Sequence, residues 1–148
     1  MSGYKRKIND KLNNLQDYFE KNSKILTVFL FGSYGTGYET KLSDIDIAIL
    51  YKDDITLMED MKIAAEIELI LNEGDVDLLN LNKASIIIKH KVISTGEIIF
   101  TRNSLQTANF IENTLKIYFD YGLTFKKYRD DYRMALKEEY LWELIYRS

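Results

Sequence analysis

The chain has 148 residues, 46% hydrophobic and 29% charged, with a formal net charge of −3. That is one ordinary globular domain with material for a real core, and the absence of excess Lys and Arg argues against nonspecific nucleic-acid binding. With no Cys, disulfides and thiolate metal sites are excluded; no apolar run approaches a bilayer span and residues 1–14 lack a signal-peptide centre, so cytoplasmic residence is expected.

Ile8, Leu12, Leu15 and Phe19 recur at helical spacing and predict an amphipathic helix over 4–21. The apolar run 25–31 ends at Gly32 and reads as a buried strand. Residues 32–43 hold three of the seven glycines and read as a loop. The alternation over 44–51 predicts a second strand. Asp53 is expected to cap a helix running to about Leu71, with Gly74 beyond its end. A third strand is predicted over 75–81, a helix over about 83–94 ending near Gly96, and a short fourth strand over 97–101. Two further helices follow, broken at Gly122: Leu105, Ala108, Ile111, Leu115 and Tyr118 mark the stripe of the first, and Phe125, Tyr128, Tyr132 and Ala135 that of the second. The expected architecture is α+β: a small mixed sheet with flanking helices in a core over about 20–101, then a C-terminal helical hairpin over about 104–146, the whole a single domain.

The chemistry concentrates between Phe31 and Asp46. Asp44 and Asp46 stand two apart on a predicted strand, so both carboxylates face the same side. Two like charges that close raise each other's pKa, and a divalent cation with a taste for hard oxygen ligands removes the conflict; Mg²⁺ fits. Asp77, on the third strand, completes a three-carboxylate cluster if that strand lies beside the second. Such a cluster can hold two metals for in-line displacement at phosphorus. Asp75 is its rival on the same face. Gly32 lets backbone approach a phosphate closely, and the Ser33 hydroxyl can add a hydrogen bond. Gly32 and Gly37 have the glycine spacing of a Walker A loop, but Tyr38 and Glu39 stand where Lys and Ser/Thr are required, so a P-loop is rejected. His90 is read as a surface or packing residue in preference to a catalytic one. The tyrosines of the last helices are read as helix packing, with a partner face as the sharper alternative.

Gly32-Ser33, ten residues, then Asp44-Ile-Asp46 with Ser43 before the first acid resembles the signature of the DNA polymerase β-like nucleotidyltransferases. Val76-Asp-Leu-Leu-Asn-Leu81 resembles the third-acid strand of the minimal members, and within these the chain looks most like the antitoxins of HEPN/MNT toxin–antitoxin pairs. The resemblance implies a polymerase β-like fold and transfer of AMP from ATP to a tyrosine of a HEPN-type RNase toxin. It further implies that Gly32 and Ser33 grip the triphosphate with Ser43 nearby, that Asp44 and Asp46 bind Mg²⁺, and that Asp77 completes the site. Many members carry Ala-Arg after Gly-Ser-Tyr; this chain has Gly35-Thr36. Two alternatives stand beside this reading: nucleotidyl transfer to a small molecule or an RNA end, and neutralisation of the toxin by binding alone.

Overall fold

The computed structural model describes residues 3–31, 45–72 and 76–146. Their order is α1 (Gly3–Lys21), β1 (Ile25–Phe31), β2 (Ile45–Tyr51), α2 (Leu57–Leu71), β3 (Val76–Asn80), a 3-10 turn at Leu81–Lys83, α3 (Ile86–Thr95), β4 (Glu97–Thr101) and α4 (Ser104–Tyr146). The four strands form one sheet in the order β3-β2-β1-β4. β1 pairs antiparallel with β2 and with β4, while β2 and β3 run parallel. A parallel pair needs a crossover, and α2 supplies it.

The two central strands are apolar along nearly their whole length because both faces of the sheet are covered. On one face Leu12, Leu15 and Phe19 of α1 and Ile63, Ile67 and Leu71 of α2 pack against Val28, Ile47 and Ile49. On the other, Phe29, Ala48 and Leu50 meet Leu81 and Val92, with Phe110 of α4 packed against them. Gly96 sits where α3 turns into β4, and a Cβ there would collide with the Val92 carbonyl and crowd that of Leu30.

Two boundaries differ from the sequence reading. The cap of α2 is Thr56, not Asp53: the Thr56 side chain accepts from Glu59 N and the Glu59 carboxylate accepts from Thr56 N, a reciprocal capping box. Both candidates have capping side chains, and the paired glutamate three residues on distinguishes Thr56. Helix α2 ends at Leu71, where the sequence reading has it, and its cap is Asn72 in the left-handed conformation, φ 50°; Gly74 lies outside the described residues. Most consequentially, the expected C-terminal hairpin is one helix of 43 residues that passes straight through Gly122. A glycine inside a helix costs only about 1 kcal/mol against alanine, and with no proline in the chain nothing stronger breaks the run.

The stripe that α4 buries also differs. Leu105 is 71% exposed and Leu115 is exposed, whereas Thr107 and Thr114 are buried. The Thr107 hydroxyl shares hydrogen bonds with those of Thr27 (2.6 Å) and Thr101 (2.9 Å) and donates to the Asn103 carbonyl. A hydroxyl cluster therefore pins the start of α4 to the sheet, and threonines do not register in an apolar count.

Candidate active site

Alternation along β2 sends Ile45, Ile47 and Ile49 toward α1 and α2, and Asp46, Ala48 and Leu50 to the opposite face. β3 alternates likewise, with Val76 against the α1–α2 core and Leu79 against the other. The same parity places Asp77 on the face of Asp46. The parallel register then sets Asp46 directly opposite Asp77. Adjacent strands lie about 4.8 Å apart, so the two carboxylates are neighbours. Asp46 is half-buried and Asp77 exposed.

The same end of the sheet receives β1. Phe31, the last residue of that strand, is the antiparallel partner of Asp46. The two strand ends that border the Gly-Ser and Asp-x-Asp motifs in sequence, and the start of β3, thus converge on one corner. Gly32, Ser33, Ser43 and Asp44 themselves, and the rival Asp75, lie outside the described residues. Among the described residues no group of three potential metal ligands occurs; Asp46 and Asp77 are the two of the three expected acids that are described. An all-oxygen pair, open to solvent on one side, suits a Mg²⁺ ion that keeps several of its waters.

Asn82 is a supporting residue that sequence reasoning missed. Its side-chain Oδ1 accepts from Tyr51 N at 2.8 Å and its Nδ2 donates to the Tyr51 carbonyl at 3.1 Å. The carboxamide thereby imitates one more rung of the β2–β3 ladder beyond the end of β3. In a five-residue edge strand whose only fully buried side chain is Val76, this clamp helps fix the register that opposes Asp46 to Asp77. Asn80 holds the turn in place by accepting from Asn82 N. The only signal in the sequence is Asn80-Leu-Asn82 closing an apolar run.

His90 stacks face to face on Tyr118, ring centroids 3.6 Å apart and 4° from parallel. It joins α3 to α4, which agrees with a packing role. At the other end of the sheet a cleft of about 350 Å³ is lined by Ser23, Lys24, Lys52, Asp53, Asp54 and Glu59. Its best-defined contact is the Lys24–Glu59 ion pair at 2.7 Å, whose hydrogen bond holds the Glu59 carboxyl below its usual range. An exposed lysine–glutamate pair is ordinary surface chemistry, and this cleft is remote from both acids.

The sequence matches the family described as Polymerase beta, Nucleotidyltransferase, over residues 13–105. A curated relative, the protein adenylyltransferase MntA of Shewanella oneidensis, is 35% identical over 74 residues, which are 50% of this chain and 52% of MntA. The match thus spans about half the length of that relative. Among solved structures, a chain of a toxin–antitoxin with AMP-PNP superposes with a TM-score of 0.65 at 27% identity, covering 85% of this chain and 95% of that one. A chain from the tri-AMPylated Shewanella oneidensis HEPN toxin in complex with MNT antitoxin gives 0.63 at 26% identity, covering 86% and 96%. A third, from a toxin–antitoxin complex carrying two Asp-to-Glu changes two positions apart, gives 0.64 at 25% identity, covering 83% and 95%.

Proposed function

The chain belongs to the Polymerase beta nucleotidyltransferase family, and from that premise we propose that it is a protein adenylyltransferase antitoxin, transferring AMP from ATP to a tyrosine of a HEPN-type toxin. The observation that carries the reading is the register of β2 on β3, which sets Asp46 and Asp77 side by side on one face, next to the strand end that leads into Gly32-Ser33. The relatives described above supply the reaction and the partner: one is a protein adenylyltransferase, one was solved with AMP-PNP, and one with an AMPylated HEPN toxin.

In this proposal Asp44, Asp46 and Asp77 would hold Mg²⁺, which when bound would neutralise charge developing in the transfer. Gly32 and Ser33 grip the triphosphate, with Ser43 nearby. The tyrosine oxygen forms a bond to the α-phosphorus of ATP as the bond to pyrophosphate breaks. Asp77, the more exposed of the two described acids, takes the phenolic proton. The protein otherwise contributes position: the sheet fixes the acids, and Asn82 fixes the sheet. Residues 1–148 are taken as one functional domain. No helix among the described residues is long and apolar enough to cross a membrane, and we place the reaction in the cytoplasm, where ATP is supplied.

The test is intact mass spectrometry of a cognate HEPN-type toxin from the chain's own source, after incubation with the chain, ATP and Mg²⁺. The expected result is a gain of one or more AMP units. Asp46→Asn and Asp77→Asn should each slow that gain by roughly a thousandfold, the scale of losing one group that stabilises transition-state charge, without lowering the melting temperature. A toxin neutralised with no gain in mass would replace this reading with neutralisation by binding.

A further inference from the structure

Helix α4 is about 64 Å long at 1.5 Å per residue, and only its first part has a covering. Along it Thr107, Ile111, Thr114 and Tyr118 are buried or half-buried, at alternating spacings of four, three and four. The alternation continues without a break through Tyr121, Phe125, Tyr128, Tyr132 and Ala135, yet every residue from 119 to 139 is exposed. The seam that α3 and the sheet cover in the first half runs on uncovered in the second. Tyr121, Phe125, Tyr128 and Tyr132 are 44%, 52%, 73% and 60% exposed. Each ring has roughly 150–250 Å² of surface to offer, so the open apolar seam amounts to several hundred Å², the size at which an exposed patch signals an interaction site.

The spacing and charge of this helix define what covers it. A seam of alternating threes and fours is the 3.5-residue period that another α-helix matches. At about 100° per residue, Asp131 and Glu138 fall along one edge of the seam and Arg129 along the other; Lys126 and Arg133 stand behind Arg129, and Asp120 and Lys127 stand behind the acidic edge. A second copy fits poorly in either direction. Antiparallel, like edges meet, acid against acid and base against base. Parallel, opposite edges meet, but Tyr121, Phe125, Tyr128 and Tyr132 would each face their own copy in four successive layers, more volume than a two-helix core accommodates.

We propose that the distal half of α4 docks an α-helix of a different protein, one with small or aliphatic residues along its contact stripe, basic residues toward Asp131 and Glu138, and acidic residues toward Arg129 and Arg133. This rests on the function proposed above, which makes the toxin that protein: the enzyme would hold its substrate by a helix that extends away from the domain carrying the acids.

The test measures binding of the full chain to the same cognate HEPN-type toxin, by calorimetry and by association kinetics across a salt series. Phe125→Ser with Tyr132→Ser should weaken binding at least a hundredfold, as for two interface aromatics of about 1.4 kcal/mol or more each. Thermal unfolding of the nucleotidyltransferase core should not change. Met134→Gln removes an equally exposed apolar side chain from the opposite face and should change nothing. Arg129→Glu with Arg133→Glu should slow association at low salt and reduce its salt dependence. Binding that survives the seam substitutions overturns the surface alone. An unmodified chain that does not bind the toxin overturns the occupant and the partner proposed above together. A chain that is dimeric by light scattering, and monomeric once the seam is substituted, overturns the heterologous occupant in favour of a second copy.

Discussion

The central strands and the distal half of α4 are both rich in large apolar side chains and meet opposite fates. In β1 and β2, Val28, Phe29, Ile47 and Ile49 are almost wholly buried between two helical layers. In α4, Phe125, Tyr128 and Tyr132 stand in solvent. Apolar content in a sequence states that something will be covered; it does not state by what. For the strands the cover is α1, α2 and α3 of the same chain. For the distal half of α4 no further element among the described residues supplies a cover, and the helix there is sustained by its own backbone and by local side-chain pairs, a marginal arrangement in water. One region is thus specified by the fold and the other awaits a partner.

The sharpest way to break this contrast is a pair of aromatic deletions. Phe19 is fully buried in α1 and packs against the Phe100 ring at 5.6 Å between centroids. Phe19→Ala should cost about 3–5 kcal/mol, lowering Tm by roughly 10 °C for a chain of this size. Tyr128→Ala should change stability by less than about 0.5 kcal/mol. Thermal unfolding by circular dichroism reads both, and a large loss from Tyr128→Ala would show that the distal helix is part of the cooperative core.

A smaller effect is expected at the join between the two layers. Arg102 follows β4 and reaches back to the end of α1. Its guanidinium donates to the carbonyls of Phe19 (2.6 Å), Glu20 (3.0 Å), Asn22 (3.1 Å) and Ile25 (2.9 Å), and lies 5.4 Å from the Phe100 ring centre. The carbonyls of Phe19 and Glu20 are among those that a helix end leaves without partners, and a cation there also suits the helix dipole. Arg102→Ala should cost about 2 kcal/mol, the scale for hydrogen bonds to a charged group. Arg102→Lys should recover little of it, since an ammonium cannot reproduce a four-point fork. Denaturant titration would show the difference in midpoint.

The covered face also carries a pH signature. Tyr18 of α1 is pushed up to about 12 by burial and by the hydrogen bond it donates to Glu66 (2.5 Å), and Tyr51, buried beside Asp60, is pushed up as well. Because the folded state holds the phenolic proton more tightly than the unfolded chain, the stabilisation is complete below pH 10. It declines as the pH rises from about 10 to 12. Tyr18→Phe should flatten the fall in Tm across that window. An unchanged slope would assign the alkaline loss elsewhere.

How far the sequence foretold this molecule depends on whether the deciding interaction was local. The four strands and α1 were legible because period two and period 3.6 are written in side chains a few residues apart. The acid pair was legible for the same reason: Asp46 sits in an apolar alternation, and Asp77 in another. That the two would stand opposite each other required β3 to lie beside β2, which no local pattern states; the crossover through α2 and the Asn82 clamp decide it. The cap of α2 was misplaced because Asp53 and Thr56 both have the right side chain, and the reciprocal glutamate separates them. The buried face of α4 was misread because two of its buried residues are threonines, Thr107, whose hydroxyl bonds to the sheet, and Thr114, and neither registers in an apolar count. The reading of Tyr128 and Tyr132 as packing residues followed the apolar stripe correctly and supplied the wrong cover, since that face is open.

Gly122 carries the smallest expected effect and the cleanest sign. If the chain turned there into a second helix, the glycine would occupy the left-handed position that ends many helices, and alanine would be unfavourable. In one continuous helix the glycine has ordinary helical geometry, and a Cβ added at this position meets nothing within 4 Å. Gly122→Ala should then stabilise the helix by about 0.8 kcal/mol. Because the segment opens independently of the core, global Tm should hardly register the change. Hydrogen exchange of the amides on either side of position 122 is the proper readout, with protection rising by roughly fourfold for that free energy. A loss of protection would restore the hairpin and remove the continuous seam on which docking of a partner helix depends; a gain confined to α4 would establish that the distal half is one helix, held on the domain by its first turns and open along the rest.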